Sequence, residues 1–342
     1  MDETLDEARG EVPPTSEVVA PPIDVDERQS NLLEWISTRG IFVFTLLLII
    51  AAAIFIDGFA SLTNITDVFN RAAPIGIVAV GMTFVVITGN YLDLSVVAQV
   101  ATAAVVLIAV SNETGSIVLA MGLAVVIALL YGLLNGVSVG VFKANAVIVT
   151  LSTTFIGLGM LRWLSGGSIY FGPPDGPIRA FGLAKLGPFP LSMIVLIVVT
   201  LALSWVLTRT NFGFLVKSFG SNAAATRLAG VNTAWVVIGA FTFSAIGAMI
   251  AGFVLAAFSN TAVSAMSSGY DFRALAAIIV GGTSVFGGKG SVMRTLLGVI
   301  FVSVLTNIMV LSGLGFGVQQ MAIGALIVAA VSVDALARRA AA

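Results

Sequence analysis

The chain has 342 residues, of which 58% are apolar and only 10% charged, with a mean hydropathy of +1.08 and a net charge of −1. A soluble domain carries about 25% charged residues, so this composition excludes a soluble protein and predicts an integral membrane protein. His and Cys are absent from the sequence, which excludes disulfides, Cys/His zinc sites and catalysis by either side chain. We therefore expect no metal and no cofactor. The basic residues are scattered, which argues against a nucleic-acid surface.

The first 30 residues are acidic and contain four prolines, with nine acidic residues against two basic ones. This composition lacks the apolar periodicity of a packed helix, and it predicts a disordered cytoplasmic tail over residues 1–35. A secretory signal peptide is not expected, because no basic n-region precedes the first apolar run near Ile41. The remaining residues, 36–342, are predicted to form one transmembrane domain.

Charge-free apolar runs follow one another along that domain, and a helix needs about 20 such residues to cross the hydrocarbon core. They predict an all-α protein with about ten membrane-spanning helices. The predicted spans are 41–57, 72–89, 94–111, 117–140, 146–164, 190–208, 233–257, 272–288, 293–312 and 316–333. The last two are separated because glycines interrupt the long apolar run at 313, 315 and 317.

An even number of spans places both termini on one side of the membrane. With the termini in the cytoplasm, eleven Lys and Arg residues lie on inner segments and five on outer segments. The positive-inside rule therefore favours cytoplasmic termini. The outer connection at about 165–189 is rich in Gly and Pro, and the inner one at about 209–232 is predicted to contain one short helix.

The first candidate site is the turn from Thr88 to Ser95. Asp93 is the only ionisable residue between Arg71 and Glu113. A charge at membrane depth is costly, which favours a functional role. The alternative is that Asp93 or Ser95 caps the following helix, and both roles are compatible.

The second candidate is the glycine-rich run from Gly281 to Ser291. It fails the phosphate-loop pattern, because Gly290 follows Lys289 where Ser or Thr is required. Its glycines instead favour a sharp turn and close helix packing at the inner face.

The third candidate is the inner segment from Phe212 to Thr233. Ser221 or Asn222 can cap a helix there, the alanines favour it, and Gly230 can end it. A small, smooth face beside Arg227 suits the docking of a cytosolic protein, and an amphipathic connector lying on the bilayer is the alternative.

Several polar residues inside or beside spans either line a path or bond between helices. Together with the Asp93 turn and the glycine-rich run, they give a candidate set for the translocation path or a gating turn: Asn90, Asp93, Ser95, Thr150, Thr283, Ser284, Asn307, Gln319 and Gln320.

Four stretches in a fixed order carry a family resemblance that extends over about residues 60–335. They are Gly81-Met82-Thr83 leading to Asp93-Leu94-Ser95, Phe142 to Asn145 leading to Ile148 to Leu151, the segment 212–232, and Ile279 to Ser291 followed by Gly298 and Gln319-Gln320. In these stretches the chain resembles the permease subunits of bacterial ABC importers for simple sugars of the ribose, xylose and galactose type. It departs from them in a turn before Asp93 that is one residue longer, and in Val97, where the family usually has Gly.

The resemblance implies a permease fold of about ten helices in the bacterial inner membrane, used as a dimer with a second permease subunit. It implies two further partners, a cytosolic ABC ATPase and an extracytoplasmic sugar-binding protein, with membrane lipid around the spans. The inner segment would then be the helix that couples to the ATPase, through Ser221, Asn222, Ala223, Ala224, Ala225, Arg227, Leu228 and Gly230.

Three other functions are weighed against this one. An importer for another small polar solute, such as a polyol, a nucleoside or a branched-chain amino acid, is equally compatible with a permease sequence. An ion-coupled carrier needs ionisable groups within the membrane to bind the coupling ion, and the sequence provides only Asp93 as a candidate. A membrane enzyme lacks an acid–base pair.

Overall fold

The computed structural model describes residues 40–89 and 92–341, and the predicted tail over 1–35 lies outside the described residues, as does Asn90. The described chain is predominantly helical. Its helices are α1 (Ile41–Phe55), α2 (Leu62–Ile87), α3 (Val96–Thr114), α4 (Ile117–Gly140), α5 (Ala146–Ser165), α6 (Pro177–Leu183), α7 (Leu191–Arg209), α8 (Asn211–Ser221), α9 (Ala223–Leu228), α10 (Thr233–Ser259), α11 (Tyr270–Val280), α12 (Val292–Leu311) and α13 (Phe316–Ala341).

Within the described residues, eight helices are long and apolar enough to cross a membrane: α2, α3, α4, α5, α7, α10, α12 and α13. Each overlaps a predicted span, but the predicted start of the second span at 72 is wrong, because α2 already begins at Leu62. The other two predicted spans contain shorter helices, α1 with 15 residues and α11 with 11 residues. The predicted separation of the last two spans is confirmed, because α12 ends at Leu311 and α13 begins at Phe316.

The predicted span 272–288 is wrong in its extent, because α11 already ends at Val280. Gly281 lies against the carbonyl group of Arg294, and Gly282 has a φ of +78°. An L-amino acid helix cannot continue through that left-handed backbone. Residues 281–291 are therefore a non-helical loop, and α11 is about half the length of a spanning helix.

The centre of the bundle is formed by α2 and α10, and α2 is 94% buried over its most apolar 18 residues. Small residues bring these two helices together: a Cβ at Gly81 would lie 3.0 Å from the carbonyl oxygen of Phe243. On the other face of α10, Gly132 and Gly136 of α4 pack directly on its backbone, where a Cβ would lie 2.7 and 2.6 Å from the Cα atoms of Thr242 and Ile238. The four-residue glycine spacing in α4 thus serves helix packing.

The peripheral helices face outwards with apolar side chains. Only 22% of the most apolar part of α4, α5 and α7 is buried, and only 11% of that of α13. Exposed residues such as Leu130, Ile156 and Val328 cover these faces. A helix that is apolar on both its buried and its exposed faces is typical of a span in contact with lipid.

Short elements lie at both ends of the bundle. One antiparallel ladder pairs β1 (Tyr170–Phe171) with β4 (Thr261–Ala262) beside the end of α3, where Asn112 donates to the carbonyl of Phe171. Near the first residues of α2 lie α6 and a second ladder, which pairs β2 (Lys185–Leu186) with β3 (Phe189–Pro190). Near its last residues lie α8 and the loop 281–291. The expectation of a single short helix in the inner segment is wrong, because a break at Asn222 divides it into α8 and α9.

Candidate functional site

Asp93 is fully buried, and its carboxylate is held by serine groups. Its Oδ1 accepts hydrogen bonds from the backbone amide and the hydroxyl of Ser95, the first at 3.1 Å. Its Oδ2 accepts from the hydroxyl of Ser244 on α10 at 2.7 Å. The partners of Asp93 among the described residues are thus neutral donors, and they offset the cost of burying the carboxylate. The carboxylate binds Ser95, the residue that precedes α3, and ties it to α10. The side chain of Ser95 itself makes no capping hydrogen bond to α3.

The hydroxyl of Ser95 extends this cluster to two further helices. It accepts from the side-chain amide of Gln99 at 2.6 Å and from that of Asn135 on α4 at 2.8 Å. The Oδ1 of Asn135 in turn accepts from the hydroxyl of Thr153 on α5 at 3.0 Å. We name this set the Asp93 cluster: Asp93, Ser95, Gln99, Asn135, Thr153 and Ser244.

Two threonines of α5 bind the backbone beside the cluster. The hydroxyl of Thr150 donates to the carbonyl of Leu92 at 3.1 Å, and that of Thr154 donates to the carbonyl of Leu94 at 2.9 Å. Both threonines are buried. Thr150, predicted separately from the turn that contains Asp93 and Ser95, therefore lies beside it, and these residues fasten the turn between α2 and α3 to α4, α5 and α10.

A second set of contacts joins three segments through their backbones, at the other side of the same turn. The amide of Gly288 donates to the carbonyl of Ile87 at 2.9 Å. A Cβ at Gly220, near the end of α8, would overlap that same carbonyl oxygen, and a Cβ at Gly287 would lie 2.5 Å from the Cα of Gly89. We name these four residues, Gly89, Gly220, Gly287 and Gly288, the glycine junction.

Side chains cannot enter the glycine junction without displacing one of the segments. Gly89, Gly287 and Gly288 have φ angles of +89°, +90° and +75°, which an L-residue adopts only with strain. The junction therefore places the end of α8 in direct contact with the end of α2 and with the loop that follows α11. Motion of α8 must be passed to both.

The predicted coupling residues lie on α9 and its flanks. The side chain of Asn222, rather than Ser221, caps α9 by accepting from the amide of Ala225 at 2.9 Å, and Gly230 follows the helix with a φ of +82°. Thr226 faces the protein, and Ala223 is half-buried. The exposed residues are Ser221, Asn222, Ala224, Ala225, Arg227, Leu228 and Gly230. Leu228 has 90% of its surface exposed, which is an unusual position for a leucine outside the lipid-facing helices.

The other candidate residues do not join the Asp93 cluster. Thr283 is buried in the loop 281–291, where its hydroxyl oxygen accepts from the amide of Ser291 at 3.4 Å, and Ser284 donates to Asp334 of α13 at 2.7 Å. Asn307 of α12 exchanges two amide hydrogen bonds with Asn64 of α2, at 2.8 and 3.0 Å.

Near the start of α13, Gln319 donates to the carbonyl of Leu314 at 3.0 Å, and Gln320 lies beside Gly269. The eight candidates that the structure describes are thus spread over several parts of the bundle.

Sequence reasoning missed Ser244 as a partner of Asp93, and it missed Gln99 and Asn135 as partners of Ser95. Gln99 and Asn135 carry a weak signal, since each is an amide within an otherwise apolar span. Ser244 carries none, because small hydroxyl residues are common in such helices.

Comparison with known proteins agrees with this architecture. Residues 64–331 match the family described as branched-chain amino acid transport system / permease component. The chain belongs to this permease family. It is 32% identical over 250 residues to the galactofuranose transporter permease protein YtfT of Escherichia coli, covering 72% of each chain. The resemblance stated from the sequence is confirmed at the level of the family.

Two other relatives have similar identities. The ribose import permease protein RbsC of Haemophilus influenzae is 30% identical over 297 residues, covering 86% of this chain and 91% of the relative. The autoinducer 2 import system permease protein LsrC of Photorhabdus laumondii is 30% identical over 251 residues, covering 73% and 75%. No solved structure matches the chain.

Proposed function

We propose that this chain is the permease subunit of an ATP-driven importer, and that its substrate is a simple sugar of the ribose type. It pairs with a second permease subunit in the bacterial cytoplasmic membrane, with both termini in the cytoplasm. A sugar-binding protein delivers the substrate at the outer face, and a separate cytosolic ABC ATPase hydrolyses ATP. The permease itself performs no covalent chemistry.

The observation that carries this proposal is the pairing of an exposed docking helix with a backbone contact behind it. Helix α9 presents Ala224, Ala225 and Leu228 to solvent, and a small apolar surface of this kind fits a protein partner. Directly before it, α8 ends at the glycine junction, which touches α2 and the loop 281–291. A displacement of α9 is thereby transmitted to the ends of α2 and α11, as alternating access requires.

The sugar assignment is supported by the names of the relatives. The printed names of two of them refer to galactofuranose and to ribose. The family description refers instead to branched-chain amino acids, and another relative's name refers to autoinducer 2. A permease for a polyol, a nucleoside or a branched-chain amino acid is therefore the second candidate, and screening ligands of the binding protein distinguishes them.

An ion-coupled carrier is the candidate that Asp93 favours, because a buried carboxylate with neutral partners is a group that can bind a proton. Uptake that persists without ATP and collapses with an ionophore would support it. In the proposed importer, Asp93 instead holds the turn beside the glycine junction in place.

The test of the docking role is Ala224→Glu, assayed in proteoliposomes that contain the complete transporter. A charge and extra bulk at the centre of a small apolar interface weaken binding by about 2 kcal/mol or more, so ATP-driven uptake should fall at least tenfold. The control is Ala60→Glu, the same change at an exposed residue at the other end of α2. Unchanged uptake in Ala224→Glu, with both variants in the membrane at equal levels, would remove the docking role.

A further inference from the structure

A cavity of about 300 Å³ opens beside the N-terminal end of α2, far from the glycine junction. Thr63, Thr66, Asp67 and Asn70 of α2 form one of its walls. Their spacing of three and four residues places them on a single helix face. This gives the cavity a polar wall of two hydroxyls, one carboxylate and one amide. Its volume falls at the lower end of the range of small-molecule sites, which is about 300–1,000 Å³.

The opposite wall is largely apolar. It is formed by the end of α6 with Leu183 and Ala184, by Pro190, and by Phe258 of α10. Lys185 also lies on this side, and both Lys185 and Asp67 are exposed. One charge of each sign, each accessible to water, leaves the cavity with no net charge and adds little ionic binding energy.

Asn70 is the deepest polar group of the cavity, with only 7% of its surface exposed. Its Oδ1 accepts from the hydroxyl of Ser192 at 2.7 Å, which fixes the amide plane. Over residues 40–89 and 92–341, nothing accepts a hydrogen bond from its Nδ2. An amide donor that has no protein partner at a cavity wall is available to water or to a ligand in the cavity.

We propose that this cavity is a weak binding site for a neutral monosaccharide within the permease itself. The ligand class follows from the walls: a sugar ring offers hydroxyls that both donate and accept, which matches Asp67, Thr66 and Asn70, and an apolar face that matches Phe258 and Pro190. The buried polar residues of the cavity, Thr66 and Asn70, are neutral. A zwitterionic amino acid would therefore meet charged partners only at the exposed residues Asp67 and Lys185. The choice of a sugar rests on the proposed function.

The test uses a single introduced thiol, because the wild-type chain contains no Cys. In the Thr63→Cys variant the thiol lies on the cavity wall, and in the control Ser168→Cys it lies on the exposed connection between α5 and α6. Each full-length variant is placed in lipid nanodiscs, where both membrane faces are accessible. The rate at which its thiol reacts with a charged methanethiosulfonate is then measured without added ligand and in the presence of D-ribose, D-galactose or L-leucine.

We expect D-ribose or D-galactose to slow the reaction of Thr63→Cys and to leave Ser168→Cys unchanged. For a Kd near ~10 mM, a sugar concentration of about 100 mM reduces the rate roughly tenfold. Adding Asp67→Asn, which keeps the shape and removes the carboxylate acceptor, should weaken the protection at least threefold. The matched change Asp57→Asn, at an exposed carboxylate that does not line the cavity, should not.

Protection by neither sugar, equal slowing of both thiol variants, or protection by L-leucine alone would each overturn the proposal. If protection is absent while the assembled transporter still imports sugar with ATP, the cavity proposal fails and the proposed function stands. If the wild type neither binds an ATPase nor imports a sugar with ATP, the proposed function fails, and the sugar protection of Thr63→Cys still decides whether the cavity binds sugar.

Discussion

The two ends of α2 are built in opposite ways. At its N-terminal end, polar side chains from Thr63 to Asn70 line an open cavity of about 300 Å³. At its C-terminal end, Ile87 and Gly89 meet Gly220, Gly287 and Gly288 through backbone atoms, with no room for a side chain. An open end with unused hydrogen-bonding groups can accept a ligand, whereas a close-packed end can only transmit displacement. The helix α2 thus connects a cavity that can bind a ligand to the glycine junction, which can transmit displacement.

The largest effect is expected from Gly220→Val, which breaks the close-packed end. The new side chain overlaps the carbonyl oxygen of Ile87, so α8 must separate from α2 and the loop 281–291. Overpacking costs about 1–3 kcal/mol, and we expect ATP-driven uptake to fall at least tenfold with the protein still in the membrane. The comparison variant is Gly122→Val, at a helical glycine of α4 with open space around it. Wild-type uptake in Gly220→Val would show that the junction transmits nothing.

The next largest effect is expected from Asp93→Ala, which removes the carboxylate that holds the turn at the C-terminal end of α2. The amide and hydroxyl of Ser95 and the hydroxyl of Ser244 lose their acceptor in a buried place. Each unsatisfied buried group costs about 1–3 kcal/mol, so thermal unfolding in detergent should occur at a clearly lower temperature. Asp57→Ala, at an exposed carboxylate, should leave the unfolding temperature within about one degree. Equal unfolding temperatures for both variants would contradict a structural role for Asp93.

A smaller effect is expected at the open end, from the amide pair between Asn64 and Asn307. Asn64→Ala removes the two hydrogen bonds with Asn307 and a third from the Asn64 amide to the carbonyl of Phe59, and each contributes about 1 kcal/mol to the free energy of unfolding. Because the two side chains bond each other, Asn307→Ala should cost less in the Asn64→Ala background than in the wild type. Additive losses in this double-mutant cycle would show that the two residues are not coupled.

Local features of both ends could be predicted from the sequence, but their partners could not. The local hydrogen bond between Asp93 and Ser95, the cap at Asn222 and the sharp turn in Gly281–Ser291 follow from residue type and short-range spacing. The hydrogen bond from Ser244 to Asp93 joins residues 151 positions apart, and serines at many other positions fit the pattern equally well. The contact of Gly220 with Gly288 also depends on how distant segments pack.

Hydropathy predicted the positions of the spanning helices and missed two of their ends. The helix α2 begins at Leu62, ten residues before the predicted start at 72, because Asp67 and Arg71 interrupt the charge-free run without interrupting the helix. The run 274–288 is uncharged, yet the helix α11 stops at Val280, because backbone contacts of Gly281 and the positive φ of Gly282 decide where it ends. The coupling, path and orientation assignments remain predictions, since each concerns a partner, a substrate or a membrane.

The most direct measurement is affinity purification of the wild-type protein from its native membranes in mild detergent, followed by reconstitution and an uptake assay. If the proposed function is correct, the purified complex contains a stoichiometric ATPase subunit, and it imports D-ribose or a related sugar only with ATP and the binding protein. A protein that purifies without any ATPase, and that still transports in vesicles without ATP, would contradict it and would make Asp93 the first residue to mutate.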